Sequence, residues 1–322
     1  MPFHRADDFL YQAIESIRAS QNIILDYVLV ADVPALPFMD QLRRKYDFDS
    51  RIRIIPNEGE GVVAARNTGL KETHYDLVAV MDSDDVSDCT RLQKQAKYLV
   101  QHEKCAAVGS SVNLICPHNV TIGSHRYPKV VARKTSTRIP PLPKMAAPSV
   151  MYRRGQVLAV GGYRSGFDFA EDHDLWLRLL DLGDLRNLPE DLLQYRVHPG
   201  QTSQNYLSRQ MQDSLKADLD LLLGRVPVDL EVATSGDISQ SDLMRALGAL
   251  AKLSPKIRHQ TKRIFGFFLV RNWRSVEASS IPWLLWHFPL SLLSFMTLVL
   301  WDVASKPTKW GVKRECLKCA NA

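Results

Sequence analysis

Two short groups of carboxylates carry the chemistry that this sequence announces. Asp82, Asp84 and Asp85 follow the apolar run of residues 78–81, and Glu171, Asp172 and Asp174 precede a leucine-rich stretch containing Leu175, Trp176, Leu179 and Leu180. Acids packed as closely as the first group repel one another and draw in a cation. Hard oxygen donors beside a phosphate suit Mg²⁺ or Mn²⁺ better than zinc, so residues 82–85 read as a metal and nucleotide-diphosphate site. Both groups also have a plainer use. Asp85, Ser87 or Asp88 would cap a following helix, and Glu171, Asp172 and Asp174 would complement the dipole of the helix that they open.

The elements that must position these groups follow from periodicity. Residues 78–81, rich in valine and too few for a helix, read as a buried strand of a parallel sheet with the acids at its carboxyl end. Open α/β sheets bind ligands at that end. Upstream, Leu10, Ile14 and Ile17 give one helix a buried stripe, and Tyr27–Ala31 reads as a strand ending at Asp32. A helix over 38–46, a strand over 51–55, a turn-rich loop over 57–61 and a helix over 62–70 with Ala64 and Ala65 for close packing come next. After the acids the pattern gives a helix over 90–101, with Leu92, Ala96 and Leu99 on one face, and a strand over 106–115. Residues 117–148 are rich in proline, serine, threonine and basic side chains and read as a binding loop or lid. A strand over 149–152, a turn at Gly161 and Gly162, the helix headed by Glu171 and a strand over 192–197 complete the alternation. It predicts a doubly wound α/β domain over 1–225, its mainly parallel sheet flanked by helices.

From about residue 206 the pattern turns helical, with a helix over 211–223; after a linker at 225–236 comes a helix over 242–253 behind Ser241, and residues 226–322 read as a helical C-terminal region. The segment 281–301 has His287 as its one titratable side chain and is long enough to cross a bilayer. Pro282 and Pro289 interrupt it, and Lys and Arg on both sides choose no orientation. A membrane-associating helix in the interface, anchored by Trp283, Trp286 and Trp301, and a buried helical hairpin are the other readings. The chain of 322 residues is 45% hydrophobic and 24% charged, an ordinary globular balance. Its formal charge of +6, carried mostly late, suits an anionic membrane surface or a phosphate ligand, and no nucleic-acid motif accompanies it. Five cysteines without framework spacing, and no secretory pattern, point to a cytoplasmic setting, peripheral or monotopic at the membrane. Cys316 and Cys319 form a single CxxC without a second pair.

Three patterns then stand in order: Gly61-x-x-x-Ala65-Arg66-Asn67-x-Gly69, Met81-Asp82-Ser83-Asp84-Asp85, and Glu171-Asp172-x-Asp174-Leu175-Trp176-x-Arg178. With them, residues 1–203 resemble the family-2 glycosyltransferases of GT-A fold, inverting enzymes that use nucleotide-diphosphate sugars. The resemblance implies transfer of a sugar, in the family's habit a hexose, to a hydroxyl acceptor in building lipopolysaccharide, capsule or exopolysaccharide. It implies Mg²⁺ or Mn²⁺ as cofactor, a UDP-sugar as donor and a glycan or lipid-linked acceptor. Asp32 then matches the acid that meets the base or ribose, with Ala31 where a second acid is usual. Arg66 and Asn67 match the helix residues of the nucleotide pocket, where a guanidinium donates two parallel hydrogen bonds to a diphosphate. Asp82 and Asp84 match the DxD motif, Asp82 toward the ribose or metal and Asp84 as metal ligand. Asp172, beside Glu171, matches the catalytic base that takes the proton of the attacking hydroxyl. Tyr195-Arg196-Val197-His198 resembles the motif that closes the site, with Arg196 or His198 on the metal or diphosphate. Trp176 reads as core, and His125, Arg126, Arg133, Lys134 and Arg138 as solvated charge or contacts to an anionic acceptor.

In that family the first strand is apolar and central, between the strands that end at Asp32 and Asp82, and residues 1–5 match only its tail. Unpaired backbone groups cost about 1–3 kcal/mol each, which leads to the expectation of a start upstream with Met1 internal. The rival expectation is a truncated, non-catalytic relative that binds nucleotide sugars. A nicotinamide dehydrogenase is disfavoured because no GxGxxG follows the first strand, and a sugar nucleotidyltransferase because no Gly-rich phosphate loop does.

Overall fold

Asp7 starts the first helix by accepting a hydrogen bond from the Leu10 amide, which satisfies one of the donors a helix N-terminus leaves over. Helix α1 (Asp8–Arg18) then buries Leu10, Ala13, Ile14 and Ile17, the stripe that the spacing predicts. It lies between β1 (Pro2–Phe3) and β2 (Tyr27–Ala31), whose five residues are all buried. A 3-10 turn over Val33–Phe38 carries the chain past two prolines into α2 (Met39–Tyr46) and β3 (Ile52–Pro56). These three strands form one parallel sheet in the order β1-β2-β3. Helix α3 (Gly61–Glu72) covers it, with Ala65 against Val28 and Val30, so the small residue permits the close approach expected of it.

A computed structural model describes residues 1–132 and 144–206, and 209, 210, 213, 214, 216, 217 and 220 beyond them. The readings made for 225–236, 242–253 and 281–301, and for Arg133, Lys134, Arg138, Cys316 and Cys319, lie outside the described residues. Among the described residues no helix is long and apolar enough to cross a membrane.

The second sheet has the order β4-β9-β6-β10-β5, with β7 on β6 and β8 on β10. Its strands are β4 (Leu77–Ala79), β5 (Val86–Ser87), β6 (Cys105–Ile115), β7 (Thr121–His125), β8 (Val130–Ala132), β9 (Met151–Arg153) and β10 (Asp184–Arg196). Helices α4 (Arg91–Gln101), α5 (Arg154–Ala159), α6 (Glu171–Leu179) and α7 (Thr202–Asn205) connect and follow them. Only the long central pair β6 and β10 runs parallel here; the other pairings are antiparallel. Strand β4, expected in a parallel setting, lies against β9 with Leu77 opposite Arg153 and Ala79 opposite Met151.

Two expectations change shape. Of the expected loop 117–148, the described part contributes β7 and β8, and residues 133–143 lie outside the described residues; Ile122 is the one buried residue of β7, so no apolar alternation announced it. Among the described residues strand β1 pairs with β2 alone, over Pro2↔Val30 and Phe3↔Ala31, and not with β4. A cavity of about 400 Å³ lies there, lined by Tyr27, Val28, Leu77, Val78, Ala79 and Leu92 among others. The Met1 ammonium reaches into it, donates to the Val28 carbonyl at 2.7 Å, and is pushed down to about 5 by burial.

Candidate active site

The acids of residues 82–85 emerge from a backbone that a buried arginine pins. Arg91, fully buried on α4, donates through Nη1 to the carbonyls of Val80 and Pro148 and through Nη2 to Met81 Sδ. Burial pushes its guanidinium down to about 10. A charged residue on the core face of an otherwise apolar helix stripe, with Gln95 one turn on, is a signal that the sequence did carry. Asp88 Oδ1 accepts from the Thr90 amide at 2.8 Å in the turn before α4, whose N-cap residue is Thr90 and which has no side-chain capping bond. Asp85 serves otherwise. It is buried, its Oδ1 accepts from the Arg196 amide at 2.8 Å, and burial pushes its carboxyl well above the usual range.

Arg66 joins the two acidic groups. From α3 its Nη2 donates to Asp82 Oδ1 at 3.2 Å, and its Nη1 lies 2.8 Å from Glu171 Oε1. The Tyr163 ring lies 5.5 Å from the guanidinium. The Nη1–Glu171 approach is close but poorly aligned, so Nη1 and Nε make no hydrogen bond among the described residues. Burial pushes Glu171 up to about 7 against the opposing charge of Arg66, and raises Asp82 likewise. Asp172, at the second position of α6, is half-buried and accepts from the His173 amide at 2.7 Å. Its charge acts on Arg66, Asp82 and Glu171, and also on Tyr127, which burial pushes up to about 12. Asp174 turns inward and is held by Arg178, with Nη2–Oδ2 at 2.6 Å, and by Arg164. Trp176 is core, packed near Tyr152.

The remaining metal candidate is on the segment after β10. His198 Nε2 lies 3.0 Å from Asp84 Oδ2, and both side chains keep some exposure, 16% and 31%. Among the described residues no group of three or more His, Cys, Asp or Glu side chains gathers as a metal cluster. Asp82, expected as a further ligand, is instead drawn to Arg66. Two more expectations are corrected. The Asn67 amide is committed at both ends to the Tyr163 backbone, at 2.8 and 2.9 Å, and so ties α3 to the Gly162 turn rather than lining a nucleotide pocket. Arg196 is fully buried, and each of its guanidinium nitrogens donates to a protein acceptor, which removes it from the diphosphate. Asp32 accepts from Asn57 Nδ2 at 2.9 Å and from the Gly61 amide at 3.2 Å, at the head of α3. Arg126 bonds Asp191 at 2.7 Å and the Pro189 carbonyl, which gives that cation a structural partner. Sequence reasoning missed Gln12, Asn119, Tyr163 and Arg164, whose roles arise from long-range approach and leave no local pattern.

Comparison with known proteins bears on the family and the fold. The model of glycosyl transferase family 2 matches residues 1–154. The chain is 32% identical over 212 residues to the O-antigen biosynthesis glycosyltransferase WbnJ of Escherichia coli, spanning 65% of this chain and 82% of that protein. It is 27% identical over 213 residues to the amylovoran biosynthesis glycosyltransferase AmsE of Erwinia amylovora, spanning 63% of this chain and 77% of that one. Among solved structures, S. aureus TarS 1–349 in complex with UDP-GlcNAc superposes with a TM-score of 0.56 at 17% identity, over 92% of this chain and 88% of that chain. The mannosyltransferase PcManGT from Pyrobaculum calidifontis, in complex with GDP-Man and Mn²⁺, gives a TM-score of 0.53 at 14% identity, over 94% and 86%. At such identities the superpositions speak for the fold.

Proposed function

The chain belongs to glycosyltransferase family 2, and from that premise we propose that it transfers a sugar, with inversion, from a nucleotide-diphosphate sugar to a hydroxyl of a growing surface glycan. The observation that carries the reading is Arg66, held between Asp82 of the acidic loop and Glu171 beside Asp172. A cation held there would meet the diphosphate beside the base. In the reaction Asp172 takes the proton of the acceptor hydroxyl as that oxygen bonds to the anomeric carbon and the bond to the diphosphate breaks. Glu171 and Asp82 hold Arg66, and Asp32 stands at the nucleotide's base or ribose.

Asp84 and His198 fit a divalent ion, because a carboxylate oxygen and an imidazole nitrogen 3.0 Å apart can turn to one centre. Mg²⁺ and Mn²⁺ sites commonly take one or two protein ligands and complete the shell with phosphate oxygens and water. Bound there, the ion would offset the charge of the leaving diphosphate. A UDP-sugar is the donor we favour, since TarS complexes hold UDP and UDP-GlcNAc, with GDP-mannose the alternative that PcManGT suggests. The O-antigen and amylovoran assignments of WbnJ and AmsE support a surface-glycan acceptor; a lipid-linked one at the cytoplasmic face of a membrane is the form we propose. A non-catalytic relative is the weaker reading, because WbnJ and AmsE, two matching proteins with assigned roles, are glycosyltransferases.

A donor-hydrolysis screen over UDP-, GDP- and dTDP-sugars with Mn²⁺ tests the reading, run on the full chain and on Asp84→Ala. One donor class should turn over in a metal-dependent way, and the variant should lose about 100-fold of that rate. Turnover of no donor sinks the transferase mechanism, and full activity in EDTA or in the variant sinks the metal.

A further inference from the structure

Asp84 and His198 meet from positions 114 residues apart, and one buried side chain ties both ends. We propose that Arg196 is a positioning residue, setting the separation of Asp84 and His198 without touching sugar or diphosphate. The inference rests on the metal reading of that pair. Arg196 ends β10, two residues before His198, and is fully buried. Its Nε donates to the Asp84 carbonyl at 2.7 Å while its amide donates to Asp85 Oδ1 at 2.8 Å, so the acidic loop and the end of β10 are joined at two points. Nη1 donates to Asn119 Oδ1 at 2.7 Å and to the carbonyls of Cys116 and Pro117 at 3.3 and 3.2 Å. Nη2 donates to Gln12 Oε1 on α1 at 2.8 Å. The guanidinium also lies over the Phe9 ring, 4.4 Å from its centre, and that ring sits 5.4 Å from the His198 ring.

Arg196 therefore reaches one candidate ligand through its carbonyl and the other through Phe9. A planar fork with five donors can span these acceptors, whereas a lysine ammonium offers one point. A site with two protein ligands has little redundancy, and displacements of about 1 Å cost about 100-fold in well-positioned sites. Asn119 holds φ at +63°, a conformation that glycine adopts freely, so Asn119→Gly removes the acceptor and keeps the turn.

The test uses the full chain and the variants Arg196→Lys, Asn119→Gly and Gln12→Ala, each checked for folding by circular dichroism. Mn²⁺ affinity in the presence of UDP is titrated by electron paramagnetic resonance, and UDP affinity in EDTA by calorimetry. Arg196→Lys should weaken Mn²⁺ about 10-fold or more and the clamp variants about 3-fold, with metal-free UDP affinity within about twofold of the parent. In the metal-free protein the ring ¹⁵N signals of His198 should shift in the same order, a change that mere loss of stability does not produce. Unchanged Mn²⁺ affinity and unchanged His198 signals in folded variants overturn the proposal. Equal loss of metal-free UDP binding in Arg196→Lys overturns it in favour of direct contact with the diphosphate. If Arg196→Lys does not fold, the clamp variants decide on the same criteria. If the parent itself binds no Mn²⁺, the metal reading falls and the His198 signals judge the positioning role alone.

Discussion

The loop at residues 82–85 and the head of α6 each crowd three acids into four residues, and arginines sort both sets into the same three positions. Asp82 and Glu171 share Arg66, Asp85 and Asp174 turn inward, and Asp84 and Asp172 stay partly exposed. The inward acids differ in how they are held. Asp174 meets two guanidiniums, those of Arg164 and Arg178, whereas Asp85 meets a backbone amide and is pushed toward the neutral acid by burial. The difference teaches that similar acidic strings are divided by the cations brought to them: the helix keeps a buried ion network, and the loop a buried acid that need not ionise.

If Asp84 and Asp172 have separate tasks, their variants separate most strongly. Asp172→Asn should lower kcat by about 1,000-fold, within the range for a lost general base, with the Mn²⁺ requirement unchanged. Steady-state kinetics at several Mn²⁺ concentrations will show it; a variant within tenfold of the parent breaks the division of labour. The inward pair comes next. Asp174→Asn leaves the partly exposed guanidiniums of Arg164 and Arg178 around a buried neutral partner and should cost about 3 kcal/mol in urea unfolding, while Asp85→Asn, replacing a near-neutral group, should cost about 1 kcal/mol. Equal losses would erase the distinction between network and neutral acid. For the shared cation, Arg66→Lys should lower kcat/KM about 30-fold, because one ammonium cannot serve Asp82 and Glu171 as the planar fork does.

The smallest effect concerns Glu171. Its folded-state value of about 7 stands above the ordinary 4.5, so the folded protein holds that proton over the intervening range. The stability this contributes is complete below about 4.5 and is lost as pH rises through 7. Glu171→Gln should flatten the fall of Tm across that window, read by thermal scans from pH 4.5 to 8. A slope equal to the parent's assigns the proton elsewhere.

Much of this was legible where the pattern is local. The stripe of Leu10, Ile14 and Ile17, the five buried residues of β2 and the small Ala65 each follow from spacing alone. The convergence of Asp84 with His198 and of Arg66 with Asp82 was carried by motif order, which fixes neighbours that spacing cannot. What stayed hidden was which charge would be buried. Asn67 and Arg196 are polar residues whose partners lie 96 and up to 184 residues away, so their types suggested ligand contact while packing made them ties. The antiparallel neighbours of β4 were equally hidden, because an apolar run has the same composition in either direction.

The space between β2 and β4 has a meaning for solvent as well as for packing. It is an open pocket of about 400 Å³, lined by Arg66 and Met81 among others, so water enters it. Backbone groups of β4 that face it have no strand on that side among the described residues and can hydrogen-bond that water, so their amides should exchange sooner than those of the long β6–β10 pairing.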